Sequence, residues 1–207
     1  MKVLLINGSP HANGCTYTAL SEVASTLNTE GIETEIFQLG TAPVRGCCGC
    51  GGCRKTGKCV FDDDVVNRLI EKVKDIDGLV IGSPVHYAGA SGTVTAVLDR
   101  LFYAASASLA YKPCGCVVSA RRAGTTAALD QLIKYPTINR MPLVSSQYWC
   151  MVHGNSPEQV RQDKEGMQIM RTLGRNMAWL LKCIEAGKQA DISLPEREAP
   201  ARTNFIR

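Results

Sequence analysis

Four cysteines in the first third of the chain have the spacing of a metal-binding motif. They follow the pattern C-x2-C-x2-C-x5-C and are Cys47, Cys50, Cys53 and Cys59. Ligand sets made only of thiolates bind zinc or iron-sulfur clusters, and the interspersed glycines let a loop wrap closely around such a centre. Zinc sites usually pair two C-x2-C units across a longer span, whereas a compact run is typical of a 4Fe-4S cluster. The spacing therefore predicts a 4Fe-4S cluster, with zinc or no bound metal as alternatives.

A second candidate site is a polar loop, GSPHANGCT at residues 8–16, which follows an apolar run and opens a helical pattern. A helix start offers unpaired N–H groups and the positive end of the helix dipole, and both favour an anion. The glycine pattern matches neither a dinucleotide-binding loop nor a P-loop, and the loop has no lysine, so a monophosphate fits better than a longer phosphate chain. An ordinary helix cap is the alternative. The candidate phosphate ligands are Ser9, His11, Asn13, Gly14, Cys15 and Thr16.

Two later segments occupy the same kind of position, between the end of an apolar run and the start of a helical pattern. In the first segment, Pro84 fixes the backbone and small residues let that backbone lie along a flat ring, on which Tyr87 can stack. The second contains two arginines, which either offset negative charge on a bound group or lie at the surface without a role. The candidate ligands in the two segments are Pro84, Val85, His86, Tyr87, Ala88, Gly89, Ser119, Arg121, Arg122 and Gly124.

The elements that must position these loops alternate along the chain. Short apolar runs predict strands at residues 2–6, 33–39, 78–81, 115–119 and 142–146. Helical periodicity predicts helices at residues 16–27, 64–74, 93–105, 125–134 and 157–186. Strict alternation forces parallel pairing through right-handed crossovers. The sequence therefore predicts an α/β fold: a doubly wound five-stranded parallel sheet of order 2-1-3-4-5 with helices on both faces. Ligand loops are expected at the carboxyl ends of its strands.

The motif G-S-P-x-x-x-G-x-T after the first strand resembles the FMN phosphate loop of NAD(P)H-dependent FMN reductases and iron-sulfur flavoproteins. The similarity extends over most of the chain. It implies a flavodoxin-like fold, FMN as cofactor, NADH or NADPH as electron donor, and a loop at residues 82–89 that flanks the flavin ring. It also implies a homodimer or homotetramer. Members of the family often carry Arg in place of His11 and Asn in place of Cys15.

The loops and the resemblance together predict an FMN-dependent NAD(P)H oxidoreductase. Electrons would pass from reduced nicotinamide through FMN and a 4Fe-4S cluster to a small-molecule or protein acceptor. The flavin carries the chemistry, so no acid-base triad is required and no catalytic residue is predicted. One alternative is a cluster-free reductase of FMN, quinones, azo or nitro compounds. Another is a non-enzymatic electron carrier or redox sensor.

Length and composition limit the remaining possibilities. The 207 residues carry a formal net charge of +4 without a run of Lys or Arg, which argues against nucleic acid as a partner. No stretch approaches the ~20 apolar residues of a membrane span, and no export signal precedes the ten cysteines, so we expect a cytoplasmic protein without a membrane partner. We expect a single domain at residues 1–190, with a cysteine-rich loop at residues 41–62 and a tail at residues 191–207.

Overall fold

The computed structural model describes residues 1–201 and 203, and a parallel β-sheet lies at its centre. The strands are β1 (Lys2–Asn7), β2 (Glu33–Gln38), β3 (Gly78–His86), β4 (Gly89–Ala90), β5 (Cys114–Ala120) and β6 (Met151–His153). The short β4 pairs antiparallel with β3, whereas the other five strands are parallel. The sheet has the order β2-β1-β3-β5-β6, with β4 outside this path. The parallel strands, numbered among themselves, therefore follow 2-1-3-4-5, and the predicted fold class is confirmed.

Helices cover both faces of the sheet. They are α1 (Cys15–Thr29), α2 (Cys53–Thr56), α3 (Val66–Lys72), α4 (Gly92–Leu109), α5 (Thr125–Ile138), α6 (Pro157–Gln162) and α7 (Lys164–Gln189). The helices α1, α6 and α7 pack on one face, in a core that includes Val3 and Leu5 of β1. The helices α3, α4 and α5 pack on the other face, against Leu4 and Ile6. Successive strand residues point to opposite faces, so a strand covered on both sides must be apolar throughout.

The predicted position of the last strand, residues 142–146, is wrong. That segment makes an isolated bridge between Cys114 and Leu143 and then leaves the sheet. Its backbone finds other partners, because Asn176 of α7 donates a hydrogen bond to the carbonyl of Ser145 at 2.8 Å. The sheet is completed instead by β6, which pairs with residues 118–120 of β5.

The predicted last helix, at residues 157–186, is two helices rather than one. Asp163 separates α6 from α7 and caps α7, because its Oδ1 accepts a hydrogen bond from the N–H of Gly166 at 2.9 Å. Its Oδ2 accepts a second hydrogen bond, from the N–H of His153 at 2.7 Å. The break therefore ties the start of α7 to the end of β6.

The two segments that interrupt the alternation contain little regular structure. In the cysteine-rich loop at residues 41–62, the structure has the four-residue α2. In the predicted tail, residues 192–201 and 203 form no helix or strand, and residues 202 and 204–207 lie outside the described residues. Within the described part of the chain, no helix is both long and apolar enough to cross a membrane.

Candidate functional site

The phosphate loop, residues 8–16, lies at the carboxyl edge of the sheet, directly after β1. Asn7 is fully buried at the end of that strand, and its side chain forms hydrogen bonds with the loop backbone. Its Oδ1 accepts a hydrogen bond from the N–H of Ser9 at 3.2 Å, and its Nδ2 donates to the carbonyl of Ala12 at 3.3 Å. Gln38, at the end of β2, donates to the carbonyl of Ser9 at 2.6 Å. Two adjacent strands therefore fix the loop through polar residues that the sequence reasoning missed.

The start of α1 has the properties of an anion-binding site. The helix begins at Cys15, its cap residue Gly14 makes no side-chain cap hydrogen bond, and its first turn holds no acidic residue. Backbone N–H groups at the start of a helix need a partner from outside the helix. This helix is 15 residues long, so its dipole also favours negative charge at that end. These features fit the phosphate of a flavin mononucleotide.

The structure places the other predicted phosphate ligands at different depths. Thr16 is buried, and its hydroxyl lies 2.8 Å from that of Ser119 at the end of β5. His11 and Asn13 are exposed at the rim of the loop. The thiol of Cys15 donates to the carbonyl of Gly154 at 3.6 Å, which brings the turn after β6 to the same place.

The predicted ring-binding loop is a β-hairpin rather than an open loop. The strand β3 continues through Pro84, Val85 and His86. His86 pairs with Gly89 of β4, and Tyr87 and Ala88 form the turn with φ angles of 49° and 59°. Two-residue hairpin turns of type I′ require positive φ angles at both residues, a conformation that residues other than glycine seldom adopt. The side chain of Tyr87 is fully exposed at the tip.

The loop after β5 contacts this hairpin. Gly124 has a φ of 91°, and a Cβ at this position would lie 2.7 Å from the Cα of Ala88. Gly124 therefore lets this loop approach the hairpin backbone closely, and its role as a cofactor contact stays a prediction. Arg121 and Arg122 are exposed in the same loop and form no salt bridge with another described residue. Their positive charges can thus interact with a bound anion.

Ser91 joins the hairpin to the phosphate loop. Its Oγ caps α4 by accepting a hydrogen bond from the N–H of Val94 at 3.4 Å, and it donates to the carbonyl of Gly8 at 3.2 Å. The N–H of Gly8 in turn donates to the carbonyl of Gly82 in β3 at 2.9 Å. These contacts bring the three candidate loops together at one edge of the sheet. The roles of their residues as cofactor ligands stay predictions.

The four cysteines of the metal-binding motif line one cavity of about 110 Å³ in the loop between β2 and α3. Cys47 and Cys50 are exposed, whereas Cys53 and Cys59 are partly buried. Hydrogen bonds from the N–H of Gly52 and from the Cys48 side chain lower the pKa of the Cys50 thiol, which favours the thiolate that binds metals. Among the described residues, no three Cys, His, Asp or Glu side chains already converge on a point that could hold an ion.

The chemistry of this cavity nevertheless fits an iron-sulfur cluster. Its candidate ligands are all thiols, and Gly49 and Gly51 have φ angles of 67° and 68°, which let the loop turn between the cysteines. One wall is formed by Arg100 and Tyr103 of α4. Four thiolates around a cluster give an anionic centre, and the N–H groups of Arg100 are donors that suit a thiolate.

Arg100 is a functional candidate that the sequence reasoning missed. Its side chain is 1% exposed and forms an ion pair with Asp64, whose side chain is 2% exposed. Burial raises the pKa of the Asp64 carboxyl, but hydrogen bonds from Arg100 and from the N–H of Val66 outweigh it, so the net shift is downward. The available signal was an arginine on the apolar face of a predicted helix, because a buried cation needs a partner.

The sheet order, the anion site at the start of α1 and the hairpin beside it define a flavodoxin-like protein, here with an additional cysteine-lined cavity. Comparison with known proteins agrees. A family model described as NADPH-dependent FMN reductase matches residues 1–156. An iron-sulfur flavoprotein of Methanocaldococcus jannaschii is 31% identical over 193 residues, which cover 89% of this chain and 100% of that protein.

Two solved structures share the fold at low sequence identity. A flavone reductase superposes with a TM-score of 0.70 at 19% identity, over 89% of this chain and 64% of the other. A flavodoxin from the domain Archaea superposes with a TM-score of 0.60 at 12% identity, over 88% and 99%. Because the family model and the relative both match most of the chain, the chain belongs to the family of NADPH-dependent FMN reductases and iron-sulfur flavoproteins. It is an NAD(P)H-dependent flavin oxidoreductase, as the phosphate-loop motif predicted.

Proposed function

We propose that the protein takes electrons from NADH or NADPH at FMN and passes them, through a 4Fe-4S cluster in the cysteine-rich loop, to a small-molecule or protein acceptor. The observation that carries the proposal is that one helix contacts both candidate sites. At its start, Ser91 donates to the phosphate-loop carbonyl of Gly8, and further along Arg100 lines the cysteine cavity. Nine residues of helix separate the two contacts, a rise of about 13 Å.

The cysteine-rich loop has a second connection to the phosphate loop. It follows β2, whose last residue, Gln38, donates to the carbonyl of Ser9 at 2.6 Å. A strand and a helix therefore join the two regions, and both are packed into the core of the sheet. Rigid connections of this kind would hold two redox centres at a fixed separation.

The residues of this chain would divide the work of binding between them. When bound, FMN supplies hydride acceptance and release of electrons singly or in pairs, and a 4Fe-4S cluster supplies one-electron transfer. The N–H groups at the start of α1 would bind the phosphate. The hairpin turn at Tyr87 and Ala88 would lie against the flavin ring, and Arg121 or Arg122 would offset negative charge on the reduced ring or on the nicotinamide cofactor. Cys47, Cys50, Cys53 and Cys59 would hold the cluster.

A second candidate function is that of a cluster-free flavin reductase. It is favoured by one observation, that the thiols of the described chain do not already converge on a metal position. In that case the cysteine-rich loop is a structural feature or binds zinc. The two functions share the flavin chemistry and differ only in whether electrons leave the flavin through a second centre.

We also propose that the protein acts as a homodimer or homotetramer. Tyr148 and Trp149 precede β6, stack edge to face with ring centroids 4.9 Å apart, and are 53% and 56% exposed. Aromatic residues are enriched in the centres of protein interfaces relative to the rest of the surface. Light scattering tests this proposal, and a monomer at micromolar concentration would contradict it. The cytoplasmic location stays a prediction.

An anaerobic titration tests the proposed function. The FMN-loaded, cluster-reconstituted protein is mixed with NADH or NADPH, and flavin absorbance and the electron paramagnetic resonance of the cluster are followed together. We expect the flavin to bleach first and the signal of a reduced cluster to follow. Bleaching without a cluster signal would support the cluster-free reductase, and a flavin that neither nucleotide bleaches would contradict both functions.

A further inference from the structure

Every N–H group of the Arg100 guanidinium donates to the cysteine-rich loop or to Asp64, two residues beyond it. Its Nη1 and Nη2 both bind the carboxylate of Asp64, and they also donate to the carbonyls of Arg45 and Phe61, each at 3.1 Å. Its Nε donates to the Sγ of Cys59 at 3.1 Å. The carboxylate and the two carbonyls anchor the loop, so the fifth N–H, on the sulfur, is the one directed at a predicted cluster ligand.

Cys59 is held by side chains at its sulfur and at both of its backbone polar groups. Besides the contact at its sulfur, its N–H donates to the Oδ1 of Asn67 at 2.8 Å, and its carbonyl accepts from the Nδ2 of Asn67 at 3.0 Å. Cys47 and Cys50, in contrast, are exposed on the loop. Cys59 is therefore a ligand whose position is fixed before a cluster binds, and Arg100 fixes its sulfur.

We propose that Arg100 is a positioning residue for Cys59 and that its N–H···S hydrogen bond raises the reduction potential of the cluster bound there. This inference rests on the proposed function. When the cluster gains one electron, its negative charge rises and no bond forms or breaks. A hydrogen bond to a ligand sulfur stabilises the more negative state, and such bonds are an established determinant of cluster potentials. The charge of Arg100 is offset by that of Asp64, so the effect lies in the hydrogen bond.

The test separates the contact with sulfur from the ion pair that anchors the loop. Arg100→Met combined with Asp64→Asn removes the cation and every guanidinium N–H, including the one that donates to Cys59, and leaves no buried carboxylate without a partner. Asp64→Asn alone keeps Arg100 and its contact with Cys59, so it is the matched control. The full-length, FMN-loaded and reconstituted proteins are titrated anaerobically with dithionite and mediators, and the midpoint potential of the cluster is read by electron paramagnetic resonance.

In the double variant, we expect the ratio of reduced to oxidised cluster at a given potential to fall roughly tenfold, the size of one hydrogen bond to a charged group. For a one-electron couple, tenfold corresponds to a midpoint about 59 mV more negative. In Asp64→Asn, the midpoint should equal that of the unsubstituted protein or be more positive, because a nearby negative charge is lost. Equal midpoints in the double variant and the unsubstituted protein would overturn the inference.

The amount of cluster bound to each protein decides the outcomes in which no midpoint potential can be measured. If the double variant binds no cluster while Asp64→Asn retains one, the positioning role of Arg100 is supported. If both variants lose the cluster and the same amount of thermal stability, Arg100 is only half of a structural ion pair and the inference is overturned. If the unsubstituted protein itself binds no iron, the proposed cluster fails and this inference fails with it, an outcome distinct from unchanged potentials.

Discussion

The hydroxyls of Thr16 and Ser119 lie 2.8 Å apart, although 103 residues separate the two positions in the chain. Both side chains are buried, Thr16 in the first turn of α1 and Ser119 near the end of β5. The bond fixes the start of the helix that we propose as the phosphate site to the strand whose following loop carries the two exposed arginines. It therefore couples the stability of the fold to the geometry of the site.

Breaking the hydrogen bond between these two hydroxyls should lower both the stability of the fold and the affinity for flavin. We expect Thr16→Val to lower the free energy of unfolding by about 1 kcal/mol, because Ser119 loses its buried partner. The dissociation constant of FMN should rise about fivefold, which is the same free energy expressed as an equilibrium ratio. Denaturant unfolding and flavin fluorescence titration measure the two effects. Thr29→Val, at the exposed far end of α1, is the control, and equal effects in the two variants would contradict the prediction.

Gly8 is predicted to be irreplaceable at the junction of the phosphate loop with β3. A Cβ at this position would lie 1.9 Å from the Cγ2 of Val94 and 2.7 Å from the carbonyl oxygen of Gly82. We expect Gly8→Ala to cost about 2 kcal/mol or more of stability and to reduce the FMN content of the purified protein. Adding Val94→Ala should recover part of the loss. Gly92→Ala, where a Cβ meets no atom within 4 Å, is the control. A Gly8→Ala variant as stable as Gly92→Ala would contradict the prediction that position 8 has no room for a Cβ.

The Asp64–Arg100 ion pair predicts a specific pH dependence of stability. The pKa of Asp64 is lowered below its ordinary value of 3.8 in the folded protein. A carboxyl group with a lowered pKa stabilises the fold above that ordinary value and loses the contribution as pH falls through the lower, folded value. At pH 7 we therefore expect Asp64→Asn to be about 3 kcal/mol less stable than the unsubstituted protein.

Below pH 3.8 this difference between Asp64→Asn and the unsubstituted protein should narrow. Urea unfolding of both proteins across the pH range measures it. Asp63→Asn is the control, because Asp63 pairs with Arg45 in an exposed salt bridge, with side chains 58% and 60% exposed, and such a pair contributes about 1 kcal/mol at most. A constant difference between Asp64→Asn and the unsubstituted protein down to pH 3 would show that the carboxylate charge is not what stabilises the loop.

The hairpin turn stores backbone strain that a glycine should release. Ala88 has a φ of 59°, in the left-handed region that costs an ordinary residue about 1–2 kcal/mol. We expect Ala88→Gly to raise the free energy of unfolding by about 1 kcal/mol. Ala90→Gly, in β4 of the same hairpin, should instead lower it, because that residue has no positive φ and is buried. Thermal unfolding of both variants gives the signs, and destabilisation by Ala88→Gly would contradict the account of the turn.

Much of the fold could be predicted from the sequence, because strands buried on both faces are continuous apolar runs and alternate with amphipathic helices. The last strand was misplaced for a physical reason. The apolar residues 142–144 lie along the edge of β5 only briefly, whereas β6 has three residues and ends in a histidine. Strands this short have too few residues to show a period.

The candidate site was predictable where it depends on local chemistry and not where it depends on distant partners. The cysteine spacing and the phosphate-loop motif are continuous in the chain. The contacts of Arg100 with Asp64, Cys59 and Arg45 span 36, 41 and 55 residues, so only the folded chain reveals them. The same holds for Asn7 and Gln38, whose polar side chains end β1 and β2 and form hydrogen bonds with the phosphate loop.

The most direct test of the account is the amount of iron, acid-labile sulfide and FMN bound per chain after anaerobic purification and reconstitution. We predict one FMN and one 4Fe-4S cluster, that is, about four iron and four sulfide. Cys59→Ala should keep FMN and lose the cluster, whereas Cys183→Ala, an exposed cysteine of α7, should keep both. One FMN per chain without iron or sulfide would contradict the account and leave a cluster-free flavin reductase.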